Sequence, residues 1–207
     1  MKKYIAEFFG TFVLALAVLG SLSQTGGIPT ALVAGITLGL FVFTVGKVSG
    51  THLNPAVTLG AWSVKKIAAK EVLPYILAQF AGAALAIITA KYAGLFSSVE
   101  GAWSIKAFIG ETVGTLVFAF GIASVLFASP SESETHASVQ GLRAPFIIGG
   151  SLAIGATVAS GLGASGILNP AVAFTLGSFG LAYIIGPVIG SVAGMWLYKY
   201  ISSSYRS

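Results

Sequence analysis

Apolar residues run along this chain in long blocks, with few polar residues inside them. A membrane core about 30 Å thick takes about 20 helical residues to cross. Six blocks reach that length, at residues 4–24, 30–48, 72–92, 103–128, 142–161 and 181–201, and each predicts a spanning helix. Two further apolar blocks, at 54–64 and 169–179, are about ten residues long and too short to cross. Each follows a break of glycine and small polar residues: Ser49-Gly50-Thr51-His52 and Gly161-Leu162-Gly163-Ala164-Ser165-Gly166. Irregular backbone persists at membrane depth only where protein or a water-filled cavity satisfies its polar groups. The two short blocks are therefore expected to be re-entrant half-helices. The first block follows Met1-Lys2-Lys3, contains Glu7 and is longer than a signal-peptide core, so it reads as the first span.

An internal repeat sets the expected architecture. Ala6-Glu7-Phe8-Phe9-Gly10-Thr11 matches Gly110-Glu111-Thr112-Val113-Gly114-Thr115. Leu53-Asn54-Pro55-Ala56-Val57 matches Leu168-Asn169-Pro170-Ala171-Val172, and Tyr75 with Gly82 matches Tyr183 with Gly190. The matches keep their order at offsets of 104, 115 and 108 residues. Each half holds three spans, an odd number, so the second half is inverted relative to the first. The expected fold is an all-α membrane protein with six transmembrane helices, two re-entrant half-helices and an inverted 3+3 repeat. It is read as one domain over 1–207, with halves at about 1–101 and 102–207. Inverted repeats with broken helices place a functional site near the midplane, where the halves meet.

Composition agrees. The chain is 56% hydrophobic and 8% charged, with mean hydropathy +0.92, whereas soluble domains carry about 25% charged residues. Its net charge of +5 comes from basic residues scattered between the spans, a pattern of orientation and not of nucleic-acid binding. With the N-terminus inside, Lys2, Lys3, Lys47, Lys65, Lys66, Lys70, Arg143, Lys199 and Arg206 fall on the inner side, and Lys91 and Lys106 on the outer. That positive-inside bias predicts a multi-pass cell-membrane protein with both termini cytoplasmic. The polar segment 129–140, with His136, then forms a solvated inner loop. The chain has no cysteine, hence no disulfide or thiolate metal site.

Asn54-Pro55-Ala56 has the chemistry of a helix start. Asn is a favoured N-cap, and Pro suits the first helical position because its missing N–H would be unpaired there anyway. A helix that starts at the bilayer centre points its positive dipole end, about half an elementary charge, at the midplane. Asn169-Pro170-Ala171 does the same from the other face. Two such ends repel cations and protons, while the Asn amides offer N–H donors to a passing oxygen. A water held by both donors can only accept from them and relays no proton.

With these residues in view, the sequence closely resembles the aquaporin and glycerol-facilitator family, the major intrinsic proteins. The resemblance rests on 6–11, on the run 45–58 that includes His52-Leu53-Asn54-Pro55-Ala56, on Gln79 with Gly82, on Glu111 with Thr115, and on Asn169-Pro170-Ala171. It covers nearly the whole chain. It implies a right-handed six-helix bundle, a pore in each subunit for water or small neutral solutes, and usually a homotetramer in membrane lipid. It implies no cofactor and no metal. It also implies that Glu7 and Glu111 accept hydrogen bonds from the loops that hold the half-helices, with His52 in the same support.

The departures from the family pattern concern selectivity. Most members carry Arg after the second Asn-Pro-Ala, where this chain has Val172; glycerol facilitators usually carry Asp one place further, where it has Ala173. The other constriction positions fall at Ala34, Thr157 and Gly166, all small. The outer filter is therefore expected to be wide and uncharged, unless a loop folded into the outer vestibule sets the narrowest point. Lys47, where His is usual, is either an inner-surface charge or a lining residue of the cytoplasmic vestibule.

The leading function class is a passive channel for water, with a glycerol- or urea-type facilitator as the close alternative. A proton-coupled transporter using Glu7 and Glu111 is a different class that also fits acidic residues within spans. An enzyme is not expected, since no nucleophile–base set, metal cluster or phosphate loop is present.

Overall fold

The computed structural model describes residues 1–23, 27–96, 98–99, 103–128 and 137–203, without the side chains of 137–142. Eight helices occupy the described residues: α1 Lys2–Leu22, α2 Thr30–Ser49, α3 Pro55–Ser63, α4 Ala69–Tyr92, α5 Ile105–Leu126, α6 Ala137–Gly161, α7 Pro170–Thr175 and α8 Leu181–Ser203. Six of them are long and apolar enough to cross a membrane, with Arg143–Gly161 as the crossing part of α6. α3 and α7, of nine and six residues, are the half-helices.

Two boundaries differ from the expectation. α7 stops at Thr175, and residues 176–179 are non-helical, with Gly177 in the left-handed region at φ 74°. α6 already runs from Ala137, so the last residues of the expected polar loop are helical. Small and polar residues suppress a hydropathy signal there without preventing a helix. His136 and Gln24 lie outside the described residues.

The same packing recurs in both halves. α1 packs on α4 and α2, and α5 on α8 and α6, while α2 meets α6 across the join. Each half-helix packs on a long helix of the other half as well as its own: α3 on α8 and α4, α7 on α4 and α8. Close approach rests on small residues, as in other membrane bundles. A Cβ on Gly82 would lie 2.2 Å from the Phe8 carbonyl oxygen, and one on Gly190 would lie 2.2 Å from that of Thr112. Phe8 and Thr112 are themselves repeat mates, so the α1–α4 crossing is rebuilt in the α5–α8 crossing.

Candidate functional site

The two half-helices begin where the halves meet, and their caps are interlocked. Asn54 is extended at φ −157°, and its Oδ1 accepts from the Ala56 amide at 2.8 Å. Asn169 is extended at φ −148°, and its Oδ1 accepts from the amides of Ala171 and Val172 at 3.0 and 3.4 Å. Pro55 and Pro170 follow as the first helical residues. The remaining amide reaches across the join: Asn54 Nδ2 donates to the Leu168 carbonyl at 2.8 Å, and Asn169 Nδ2 donates to that of Leu53 at 2.9 Å. Each Nδ2 has two hydrogens, so one N–H per asparagine is left to face the cavity.

The accepting carbonyls are aimed by an unusual backbone. Leu53 and Leu168 have positive φ, 48° and 55°, although both carry a branched side chain. Non-glycine residues adopt that region uncommonly, and for a bulky buried residue it marks a backbone held by its surroundings. Here buried carboxylates hold it. Glu7 accepts from the amides of His52 and Leu53 at 2.9 and 2.7 Å. Glu111 accepts from those of Ile167 and Leu168 at 2.9 and 2.7 Å. Both glutamates are fully buried, and charge-assisted bonds of this length are the stronger kind.

The first half carries more polar chemistry than the second. Gln79 Nε2 donates to Glu7 at 2.8 Å and to the Thr58 hydroxyl at 3.0 Å. That hydroxyl donates to the Asn54 carbonyl at 3.1 Å and lies 3.1 Å from His52 Nδ1. His52 Nδ1 and the Thr58 hydroxyl thus share one hydrogen bond, whose direction follows the imidazole tautomer. At the matching positions of the second half stand Ile167, Ala173 and Pro187. Gln79 and Thr58 therefore have no repeat mates of like chemistry, and repeat matching could not reveal this network. The Tyr75–Tyr183 match did mark related anchors. Tyr75 donates to the Ser49 carbonyl at 2.8 Å, and the Tyr183 hydroxyl pairs with that of Ser165 at 2.9 Å.

A cavity of about 380 Å³ runs from the connection after α1, at Leu22 and Pro29, to the asparagine pair. Ala34, Thr157, Gly166 and Val172 all line it, as do His52, Asn54 and Asn169. The Thr157 hydroxyl donates to the Ala153 carbonyl at 2.8 Å, which leaves its lone pairs for a solute donor. Gly166 sits at φ 68°, and a Cβ there would lie 2.5 Å from the Ala156 carbonyl oxygen. Apolar Leu14, Val18, Phe118 and Leu176 make up much of the remaining wall. Lys47 is exposed in the last turn of α2 and lies outside this lining. Among the described residues no group of three or more His, Cys, Asp or Glu could hold a metal ion.

Residues 1–198 match the family described as major intrinsic protein. Aquaporin AqpM of Methanothermobacter thermautotrophicus is 30% identical, over 98% of each chain. Aquaporin NIP1-1 of Oryza sativa is 33% identical over 97% of this chain and 74% of its own. Aquaporin Z of Bradyrhizobium diazoefficiens is 30% identical over 98% and 94%. In fold, the chain resembles the X-ray structure of the aquaglyceroporin from Plasmodium falciparum, with TM-score 0.67, 24% identity and coverage of 99% and 96%. The chain belongs to the major intrinsic protein family. It is a membrane channel for water, small solutes or both, and not an enzyme.

Proposed function

We propose that this chain is a passive channel that conducts water and small neutral solutes and excludes protons and cations at the paired asparagines. The observation that carries the reading is the cross-tethered Asn54–Asn169 pair at the end of a continuous cavity. Each amide caps its own half-helix, is held by the opposite loop and keeps one donor for a solute oxygen. Two half-helix N-termini pointing into one site raise the energy of any cation there. Water aligned by two donors passes without handing on a proton.

Solute range is set in this reading by Ala34, Thr157, Gly166 and Val172. Their small, uncharged side chains leave room for solutes of the glycerol and urea class beside water. Glu7 and Glu111 act as supports for the pore loops, with His52 in the same network. Both carboxylates are filled by backbone donors, which speaks against their carrying protons in a coupled transporter. Residues 1–207 form one channel unit, with halves at about 1–101 and 102–207. Four such units assemble in the lipid of the cell membrane with both termini cytoplasmic, and Lys47 lies at the cytoplasmic end, where its charge discourages cations.

The test uses vesicles reconstituted with the full chain and loaded with a pH-sensitive dye. Water efflux should rise far above that of protein-free vesicles while an imposed pH step decays no faster. Solute uptake should be the same with and without a proton gradient. Uptake that follows the gradient would favour the transporter reading instead.

A further inference from the structure

The connection between the two halves enters the cavity. Val99 lies between α4 and α5, outside every helix, yet it lines the cavity together with Val172 and Leu176. Its backbone is held at both ends. The Val99 amide donates to the Leu176 carbonyl at 2.9 Å, and the Ser178 hydroxyl donates to the Val99 carbonyl. Ser178 is buried, with 1% of its surface exposed, and its own amide donates to the Ala173 carbonyl at 2.9 Å. Ala173 follows Val172 in α7, the helix capped by Asn169. The residue before Val99 lies against the same turn, with the Ser98 Cβ 3.8 Å from where a Cβ on Gly177 would stand.

We propose that Val99 is a fifth specificity-determining residue of the outer constriction, and that Ser178 is the residue that positions it. This rests on the channel reading above. Ala34, Gly166 and Val172 present small side chains, and Thr157 turns its proton back onto its own helix. A side chain from the inter-half connection stands on the same cavity, fastened to the turn that ends α7. A loop residue left free would move and admit solutes of many sizes. One whose N–H and C=O are both bonded holds its side chain at a fixed place, and pore diameter and lining set selectivity. Val99 and Ser178 thus supply from a loop part of the narrowing that no arginine supplies after the second Asn-Pro-Ala.

The experiment compares Val99→Ala, Val99→Phe, Ser178→Ala and Ser178→Thr with the native chain in proteoliposomes. It measures water permeability by a sucrose jump and solute permeability by glycerol and erythritol jumps. Val99→Ala should raise the solute-to-water ratio severalfold, most for erythritol, and Val99→Phe should lower it. Ser178→Ala should raise it in the same direction, and Ser178→Thr, which keeps the hydroxyl, should restore the native ratio. A merely structural role would lower all fluxes together and leave the ratio fixed. The Val99 pair leaves both backbone bonds in place, so it decides the question if Ser178→Ala does not fold. Ratios unchanged across folded, water-conducting Val99 variants overturn the inference. A native chain that moves neither water nor glycerol instead overturns the channel reading on which it rests.

Discussion

Asn54 and Leu168 stand 114 positions apart in sequence, yet the Asn54 amide donates to the Leu168 carbonyl at 2.8 Å. The mirrored bond runs from Asn169 to Leu53 at 2.9 Å. The asparagine pair therefore fastens the two halves together. Asn54→Asp keeps an oxygen for the Ala56 amide and loses the donor. One buried carbonyl is then left unpaired, at a cost of about 1–3 kcal/mol. We expect a lower unfolding midpoint in detergent. We also expect cation leak in vesicles, because a carboxylate would sit where two helix N-termini now meet. Full stability with no leak would contradict this role for the asparagine.

The two buried glutamates should differ in sensitivity. Glu7 accepts from the backbone amides of His52 and Leu53 and from the Gln79 side chain, while Glu111 is held by backbone amides alone, those of Ile167 and Leu168 with that of Gly166 beside them. A glutamine turns an NH₂ toward donors that need an acceptor, and bonds to a charged group are worth about 1.5–3 kcal/mol each. Glu7→Gln should therefore lower thermal stability more than Glu111→Gln. Equal losses would mean that the Gln79 bond adds nothing.

Helix contact at Gly82 makes a sharper test of packing. Gly82→Ala places a Cβ 2.2 Å from the Phe8 carbonyl oxygen, so α1 and α4 must part. Overpacking of this kind costs about 1–3 kcal/mol or more. Gly20→Ala in the same bundle meets nothing within 4 Å. It should be neutral or gain up to about 1 kcal/mol of helix propensity. Folded yield and melting temperature of the two variants, side by side, check the contrast.

Val172→Arg should narrow the solute range. Val172 lines the cavity on α7, so a guanidinium there would take up width, offer donors to water and repel cations. Once the variant is shown to fold and to keep its oligomeric state, its glycerol-to-water permeability ratio should fall below the native value. An unchanged ratio would move the narrowest point elsewhere, with Val99 the nearest alternative.

Much of this architecture was legible in the sequence because two signals are strong at membrane depth. Long apolar blocks mark spans without ambiguity, and a repeated Asn-Pro-Ala marks two helix starts that must face each other. Glu7 and Glu111 stood out because a carboxylate inside a span needs donors, and the repeat paired them. What escaped the reading has physical reasons. Thr58, Gln79 and His52 meet through tertiary contact, and their counterparts Ala173, Pro187 and Ile167 carry no matching chemistry. Hydropathy cannot see that α7 ends at Thr175, since Leu176 and Phe179 are as apolar as the helix before them. Val99 gave no sign, because a valine in a connection looks like any other until its backbone partners are known.

Stopped-flow light scattering on vesicles reconstituted with the native chain tests the water channel most directly. A sucrose jump should shrink them many times faster than protein-free vesicles, with the weak temperature dependence of flow through a pore. A glycerol jump should shrink them as quickly and then let them reswell as the solute enters. Shrinkage no faster than in protein-free vesicles would contradict a water channel, and absent reswelling would contradict the wide, uncharged filter assigned to Ala34, Thr157, Gly166 and Val172.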